Sequence, residues 1–418
     1  MSVSKKPALM PVDEALAFLL SQARYIEKTE ALSLLDAVGR ILAEDHSAQV
    51  TSPPADNSAM DGYAVNTADI SMTEKSRLRV TQRISAGEVG QALLPGTAAR
   101  IFTGAPVPEG ANAVVMQEQC IVDVNSVELP AGVRPKQNIR FKGEGFSIGD
   151  TMLLKGTVLR PQDLGLLASM GISEVIVSRP IKVKVFSTGN ELVEPDRELE
   201  AGKIYNSNRY TLAGLIKGLG MEYIDGGILA DSYEQTEQAI KAAADNVDMV
   251  ITSGGVSVGE EDHVKNVVEK LGQLKLWKLA IKPGKPLAYG ELCSGSGDEC
   301  KNVPFFGLPG NPAAVLVTFC VLVRPFLLYM SGASQVEPLK CVGEAQFEYA
   351  KAGTRREYLR ARLTISDNGM ALVNLHRNQS SGLLSAASWA NGFAVVDVGQ
   401  TVSLGDRVTF IPFSEVMG

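Results

Sequence analysis

IKVKVFSTG (181–189), VDMVITSGG (247–255) and PFFGLPG (304–310) follow one pattern, an apolar or β-branched run that stops in a glycine-bearing turn. Between and after them the hydrophobic period changes. Helices are predicted from about Ser207 to Leu219, Tyr233 to Ala244 and Asp262 to Leu271, and a long one from Pro312. MEYIDGGIL (221–229), LKLWKLAIK (274–282) and PLAYGEL (286–292) supply further strands. Strands that alternate with helices at this spacing define a doubly wound α/β domain over 179–331, with a mainly parallel sheet and helices on both faces. Such sheets bind ligands outside the carboxyl ends of their strands. The glycine-bearing turns stand there.

The flanks read differently. Residues 11–29 carry Leu16, Leu19, Leu20 and Ala23 at helical spacing, and a second short helix is predicted from Leu34 to Leu42. From Ser47 to about Asp150 short strands such as Arg79–Ile84 and Ala113–Met116 are broken by Gly, Pro, Asn and Asp, which predicts a β-rich module. PQDLGLLASMG (161–171) predicts a helix, with Pro161 in its first turn and Gly171 at its C-cap. Residues 332–418 return to short strands (Tyr358–Ile365, Gly392–Val398, Asp406–Phe410), which suits a small β-barrel or sandwich.

The chain has 418 residues, enough for two to four domains at roughly 100–200 residues each. A formal charge of −7 argues against nonspecific nucleic-acid binding, which needs a concentrated basic surface. It leaves room for a locally positive pocket. Cys120, Cys293, Cys300, Cys320 and Cys341 form no C-x-x-C pair, so neither a disulfide framework nor a zinc site is expected, and reduced thiols are. Cys293 and Cys300, in a long hairpin loop at 293–303, read as bystanders. Asp13 and Glu14 interrupt the first apolar stretch, against a signal peptide. The apolar run Pro312–Val323, ended by Arg324, falls short of the ~20 residues that span a bilayer and reads as a core helix.

No P-loop, G-x-G-x-x-G or H-E-x-x-H motif is present, and three histidines (His46, His263, His376) are few for a metal site. What carries chemistry is a set of loops, each directly after a strand: STGNEL (187–192), TSGGVSVGEEDH (252–263) and GLPGNP (307–312). Successive backbone N–H groups in such turns make anion-binding concavities, and a helix N-terminus adds its dipole. One such loop is an ordinary turn; three on one sheet edge favour anion binding. Glu191, Asp231, Glu260, Glu261 and Asp262 lie in or beside the loops. Carboxylates near phosphate call for a cation between them, and Mg²⁺, which takes one or two carboxylates plus phosphate oxygens, is the natural one. KPGKP (282–286) sets Lys282 and Lys285 around a turn, where two ammonium groups attract an oxyanion. In SPPADNSAMDGYAV (52–65) the Asp-Gly pair predicts a tight hairpin.

DNSAMDGYAV, IFTGAPVPEGANAVVMQEQ, FSTGNEL, IYNSNR, ITSGGVSVGEEDH, LAIKPGKPLAYG and GLPGNP together resemble the molybdopterin molybdenumtransferase family, relatives of the E domain of gephyrin. Order and spacing match from residue 56 to 312. The resemblance implies a cytoplasmic enzyme that inserts molybdate into adenylated molybdopterin, hydrolyses the adenylate with Mg²⁺ and releases AMP. It implies a homodimer of four-domain subunits: a small helical linker domain (7–46 with 150–178), a β-rich module (47–149), the α/β domain (179–331) and a barrel-like domain (332–418). The active site would lie between the α/β domain and the β-rich module of the other subunit. The implied catalytic residues are Asp61, Thr103, Glu191, Asp231 and Asp262, with Glu191, Asp231 and Asp262 toward the metal. Ser253, Gly254, Gly255, Ser257, Pro309, Gly310 and Asn311 would bind the pterin substrate, and Lys282, Lys285, Arg360 and Ser381 molybdate. A contact with molybdopterin adenylyltransferase is a further expectation; nucleic acid and membrane are not expected partners.

Gly145, Asn190 and Ala314 stand where the family often has Asp, Asp and Ser. An adenylyltransferase would need only about one α/β domain, and a non-catalytic scaffold would not need the acids at the five aligned positions.

Overall fold

The computed structural model describes residues 9–229, 232–255, 263–295 and 300–417, with backbone alone at 276–277. It is a multidomain α/β plus β protein. Its central sheet has six strands in the order Glu222–Leu229, Lys182–Thr188, Met249–Ser253, Lys301–Leu308, Pro286–Ser294, Gly272–Lys278. The first four are parallel, Pro286–Ser294 runs antiparallel to them, and Gly272–Lys278 pairs antiparallel with Pro286–Ser294. Every residue of Met249–Ser253 is buried, as expected for a strand covered on both faces. Helix Ser207–Gly218 covers one face through Leu212, Leu215 and Ile216, in the core that also holds Phe326 and Leu327. Helices Tyr233–Ala244 and His263–Leu271 cover the other. The second of these buries Val264, Val267 and Val268, an i, i+3, i+4 stripe.

The helix after the last strand runs from Pro312 to Met330, 19 residues with a mean hydropathy of 2.1, and 83% of it is buried. That length and composition would also suit a membrane span, but its packing makes it the central core helix. Arg324 does not end it. The helix passes through a π-helical turn at Phe319–Val323, and Arg324 donates to the Val336 carbonyl at 2.9 Å.

Other sequence expectations change as well. The first helix stops at Gln22 instead of near residue 29, and Thr29–Ser33 becomes a strand antiparallel to Glu174–Ser178. The second shrinks to a 3-10 turn at Leu34–Asp36, because Ile41 and Leu42 bridge to Val158 and Val177. The stretches 7–46 and 150–178 are therefore mixed, with two helices (Val12–Gln22 and Pro161–Ser169) and short paired strands, rather than helical. The stretch 274–282 splits, and Ile281–Lys282 leaves the central sheet to pair with Arg356–Glu357. Cys293 and Cys300 are joined in a disulfide, their Cα atoms 5.4 Å apart, since the hairpin strands pair Cys293 with Asn302 and Ser294 with Lys301 and so bring Cys300 close to Cys293.

In the C-terminal region Arg356–Ile365 pairs with both Ala371–Leu375 and Gly392–Val396, and Cys341–Ala345 and Arg407–Pro412 complete the ring. Closure leaves no free edges among these strands. Tyr358, Phe393 and Ile411 of this barrel belong to the same core as Phe326 and Leu327. The first β-rich region is a six-stranded sheet with its own two cores. Its Asp61-Gly62 pair forms no hairpin. Gly62–Val65 pairs instead with Thr97–Ile101 and Ala113–Met116, and a Cβ at Gly62 would overlap the Val115 carbonyl, so only glycine fits.

Candidate active-site cleft

The cleft of about 1360 Å³ lies at the carboxyl end of the central parallel strands, walled on its far side by the barrel. Strand Met249–Ser253 ends in Ser253, Gly254 and Gly255. Gly254 has φ +93°, and a Cβ there would lie 2.6 Å from Thr188 Oγ1, so the turn requires glycine. Its N–H donates to the Leu308 carbonyl at 2.9 Å, which ties this turn to the Pro309-Gly310-Asn311 loop. Asn208 strengthens the tie, its Nδ2 donating to Ser253 Oγ at 2.8 Å and to the Gly310 carbonyl at 2.7 Å. Asn206 in the same IYNSNR stretch caps the helix by accepting from Arg209 N and also bonds Ser187. The sequence displayed both asparagines, but nothing local said that Asn208 would reach two loops distant along the chain.

The barrel side supplies charge. Arg360 is 1% exposed. It donates to the Tyr358 and Ser380 carbonyls at 3.4 and 3.3 Å, and its Nε has no partner among the described residues. Burial holds its guanidinium below the usual value. The Ser381 carbonyl accepts from Ala313 N at 2.9 Å, which seats the barrel loop on the start of the core helix. Lys282 donates to Glu357 at 2.9 Å. Tyr349 bonds the same carboxylate, and burial, reinforced by this bond, pushes its phenol up to about 12. Lys285 is exposed and pairs with no acid among the described residues. Lys282, Lys285, Arg355 and Arg360 thus face two carboxylates, Glu191 and Glu357, a cation excess on a protein of net charge −7. A local cation excess of this kind attracts anions electrostatically.

Glu191, Ser253, Gly254, Gly255, Lys282, Lys285, Pro309, Gly310, Asn311, Arg360 and Ser381 all line this cleft. Asn190 and Ala314 line it too, whereas Gly145 lies elsewhere, donating to the Ser52 carbonyl at 3.0 Å. Asp231, Ser257, Glu260, Glu261 and Asp262 lie outside the described residues. Asp61 and Thr103 are not in the cleft of their own chain. They bond each other, Thr103 N and Oγ1 both donating to Asp61 Oδ1 at 2.8 Å. The two Thr103 bonds hold that carboxylate below its ordinary range, helped by the charge of Arg100. Glu357, Tyr349, Arg355 and Gln379 were not foreseen, because the barrel region gave no motif to place them.

Fold and cleft define a multidomain α/β protein with a cation-rich cleft at the strand ends. Residues 10–171 match the MoeA N-terminal region (domain I and II), 184–329 a probable molybdopterin binding domain, and 342–413 the MoeA C-terminal region (domain IV). The molybdopterin molybdenumtransferase of Haemophilus influenzae is 42% identical over 417 residues, 98% of this chain and 100% of that one. That of a Nostoc species is 36% identical over 91% of this chain and 88% of its own. The crystal structure of the molybdopterin biosynthesis moeA protein from Pyrococcus horikoshii OT3, 31% identical, superimposes with a TM-score of 0.82 over 97% of this chain and 100% of that one. The chain belongs to the molybdopterin molybdenumtransferase family and is an enzyme, a transferase.

Proposed function

We propose that the protein acts in molybdenum cofactor biosynthesis, inserting molybdate into adenylated molybdopterin with Mg²⁺-dependent hydrolysis of the adenylate and release of AMP. The observation that carries this reading is the convergence on one cleft of two glycine-bearing loops, the Lys282–Lys285 turn and the buried Arg360. Backbone N–H groups of the loops at Ser253–Gly255 and Gly310–Asn311 suit phosphate oxygens. Lys285, with no acidic partner among the described residues, has its full charge available for molybdate. Lys282 is held in place by Glu357, and the Nε of buried Arg360 has no partner among the described residues. Ser381 adds a hydroxyl. Ala314 brings no hydroxyl to this wall, so molybdate would rest on the cations.

Glu191 makes no ion pair among the described residues, and its carboxylate lies against Gly189 on the cleft wall. A free hard oxygen donor there fits Mg²⁺. Glu191, with Asp231 and Asp262, would hold the ion, which when bound would offset charge on phosphate oxygens. Asp61 and Thr103 would act from the partner subunit of a homodimer, in the cytoplasm, with the adenylated pterin handed over by molybdopterin adenylyltransferase. The four-unit division at 47, 150, 179 and 332 belongs to the same reading.

The test combines purified protein, adenylated molybdopterin, Mg²⁺ and a molybdate titration. AMP and pterin-bound molybdenum should rise together and vanish without Mg²⁺; pterin binding with no AMP release would overturn the reading. Mixing an Asp61→Asn chain with a Lys285→Gln chain should restore activity that each lacks alone, if the site is shared between subunits.

A further inference from the structure

In the first β-rich module, strands Ser76–Ile84 and Thr97–Ile101 run parallel with Arg83 directly opposite Arg100. Neighbouring strands lie about 4.8 Å apart, and like charges that face each other across that gap repel. A carboxylate between them would normally relieve this. Among the described residues neither guanidinium has one. Arg83 donates to Ser85 Oγ at 3.2 Å, and Arg100 to the Gly62 carbonyl at 3.3 Å and to Gln117 Oε1. Arg77, on the same strand, is by contrast paired with Asp123.

Both unpaired arginines lie over one aromatic ring. The Arg83 and Arg100 guanidinium carbons are 4.6 and 4.8 Å from the Phe102 centroid, and Arg100 is also 5.1 Å from that of Tyr63. Cation–π contact orients the two planar groups without neutralising them. Asp61 is within electrostatic reach of Arg100 but forms no ion pair with it, its carboxylate being bonded to Thr103. Two cations in cross-strand register, braced by an aromatic ring and with no ion-pair partner among the described residues, favour an external anion.

We propose that Arg83 and Arg100, braced on Phe102, form a diphosphate-binding subsite separate from the cleft of the same chain. Guanidinium groups match phosphate oxygens with paired donors, and a bridging diphosphate would turn one repulsion into two attractions. This deepens the proposed function and rests on it for the role of Thr103, which directly follows Phe102. An adenylated phosphate is a diphosphate ester, and the subsite would hold that link beside Asp61 and Thr103.

The test is calorimetric binding of inorganic pyrophosphate to the full chain carrying Lys282→Gln and Lys285→Gln, which mutes the cleft. Pyrophosphate should bind at low salt. Adding Arg83→Gln or Arg100→Gln should weaken it at least about tenfold, the loss expected for one charge-assisted bond. Adding Arg77→Gln should change nothing. Arg83 is exposed, so its variant keeps the fold and decides the matter even if Arg100→Gln does not. Absence of binding, indifference to both arginine changes, or orthophosphate binding as tightly as pyrophosphate would each overturn the subsite. A wild-type protein that binds pyrophosphate through these arginines but releases no AMP from adenylated molybdopterin keeps the subsite and loses the proposed reaction.

Discussion

Arg360 and Asp248 are both buried charges, but their surroundings differ. Arg360 has two long bonds to carbonyls and an Nε unpartnered among the described residues, so its desolvation is poorly compensated. Arg360→Met, similar in length and uncharged, should leave the thermal midpoint unchanged or higher while raising the molybdate concentration for half-saturation by about tenfold or more. A lowered midpoint with unchanged molybdate dependence would make Arg360 structural. Asp248 is 5% exposed and fully engaged: Arg179 donates to it at 2.7 and 2.8 Å and Lys182 N at 2.9 Å. Burial alone would raise its carboxyl, but the Arg179 and Lys182 bonds outweigh that and hold it below the ordinary 3.8. A depressed folded value stabilises above the unfolded one, and the stabilisation is lost as pH falls through the folded one. Asp248→Asn should therefore cost about 3 kcal/mol at neutral pH, by urea midpoint, because it strands a partly buried guanidinium. The gap to wild type should narrow below pH 3.8; a constant gap would refute the sign.

The elements legible in the sequence are those whose burial pattern is local. The helix at Tyr233–Ala244 has the predicted bounds, and Pro161 opens its helix as its fixed φ dictates. Elements that failed are those whose partner lies far along the chain. Leu34–Leu42 has a helical pattern, but Leu42 finds a strand neighbour in Val177 and the helix is lost. LKLWKLAIK reads as one strand, and only the barrel strand at Arg356 draws Ile281–Lys282 out of the sheet. The turn that follows depends on Gly284, at φ +113°, where a Cβ would run into the Thr318 methyl. Gly284→Ala should lower stability by about 1–3 kcal/mol and shift Lys285, weakening molybdate saturation. Unchanged midpoint and saturation would show that the turn tolerates a side chain.

Across the whole molecule the cores predict how it unfolds. The central α/β sheet, the Val12–Gln22 helix and the barrel share one continuous core, in which Leu19, Phe326 and Phe393 all take part. The first β-rich sheet has separate cores, around Val115 and Ile101. Calorimetry of the full chain should show two transitions, one of them common to the α/β domain and the barrel. A chain cut after residue 331 should aggregate, because it bares the apolar face that Tyr358, Phe393 and Ile411 cover. A soluble, cooperatively melting fragment would contradict a shared core.

The amino-acid sequence by itself determined the α/β rhythm of the central domain and the glycine-bearing loops at its strand ends, because burial on both sheet faces and left-handed turns leave marks within a few residues. It also carried the family resemblance that names Lys282, Lys285 and Arg360. Tertiary structure alone decided that Arg360 lies buried in the same cleft as those lysines with a nitrogen unsatisfied among the described residues, that Asn208 clamps two loops, and that Arg83 faces Arg100 with no ion-pair partner among the described residues. Each of these depends on chain segments brought together from a distance. Register and desolvation between such segments are set by the packing of whole units and leave no periodicity in either segment.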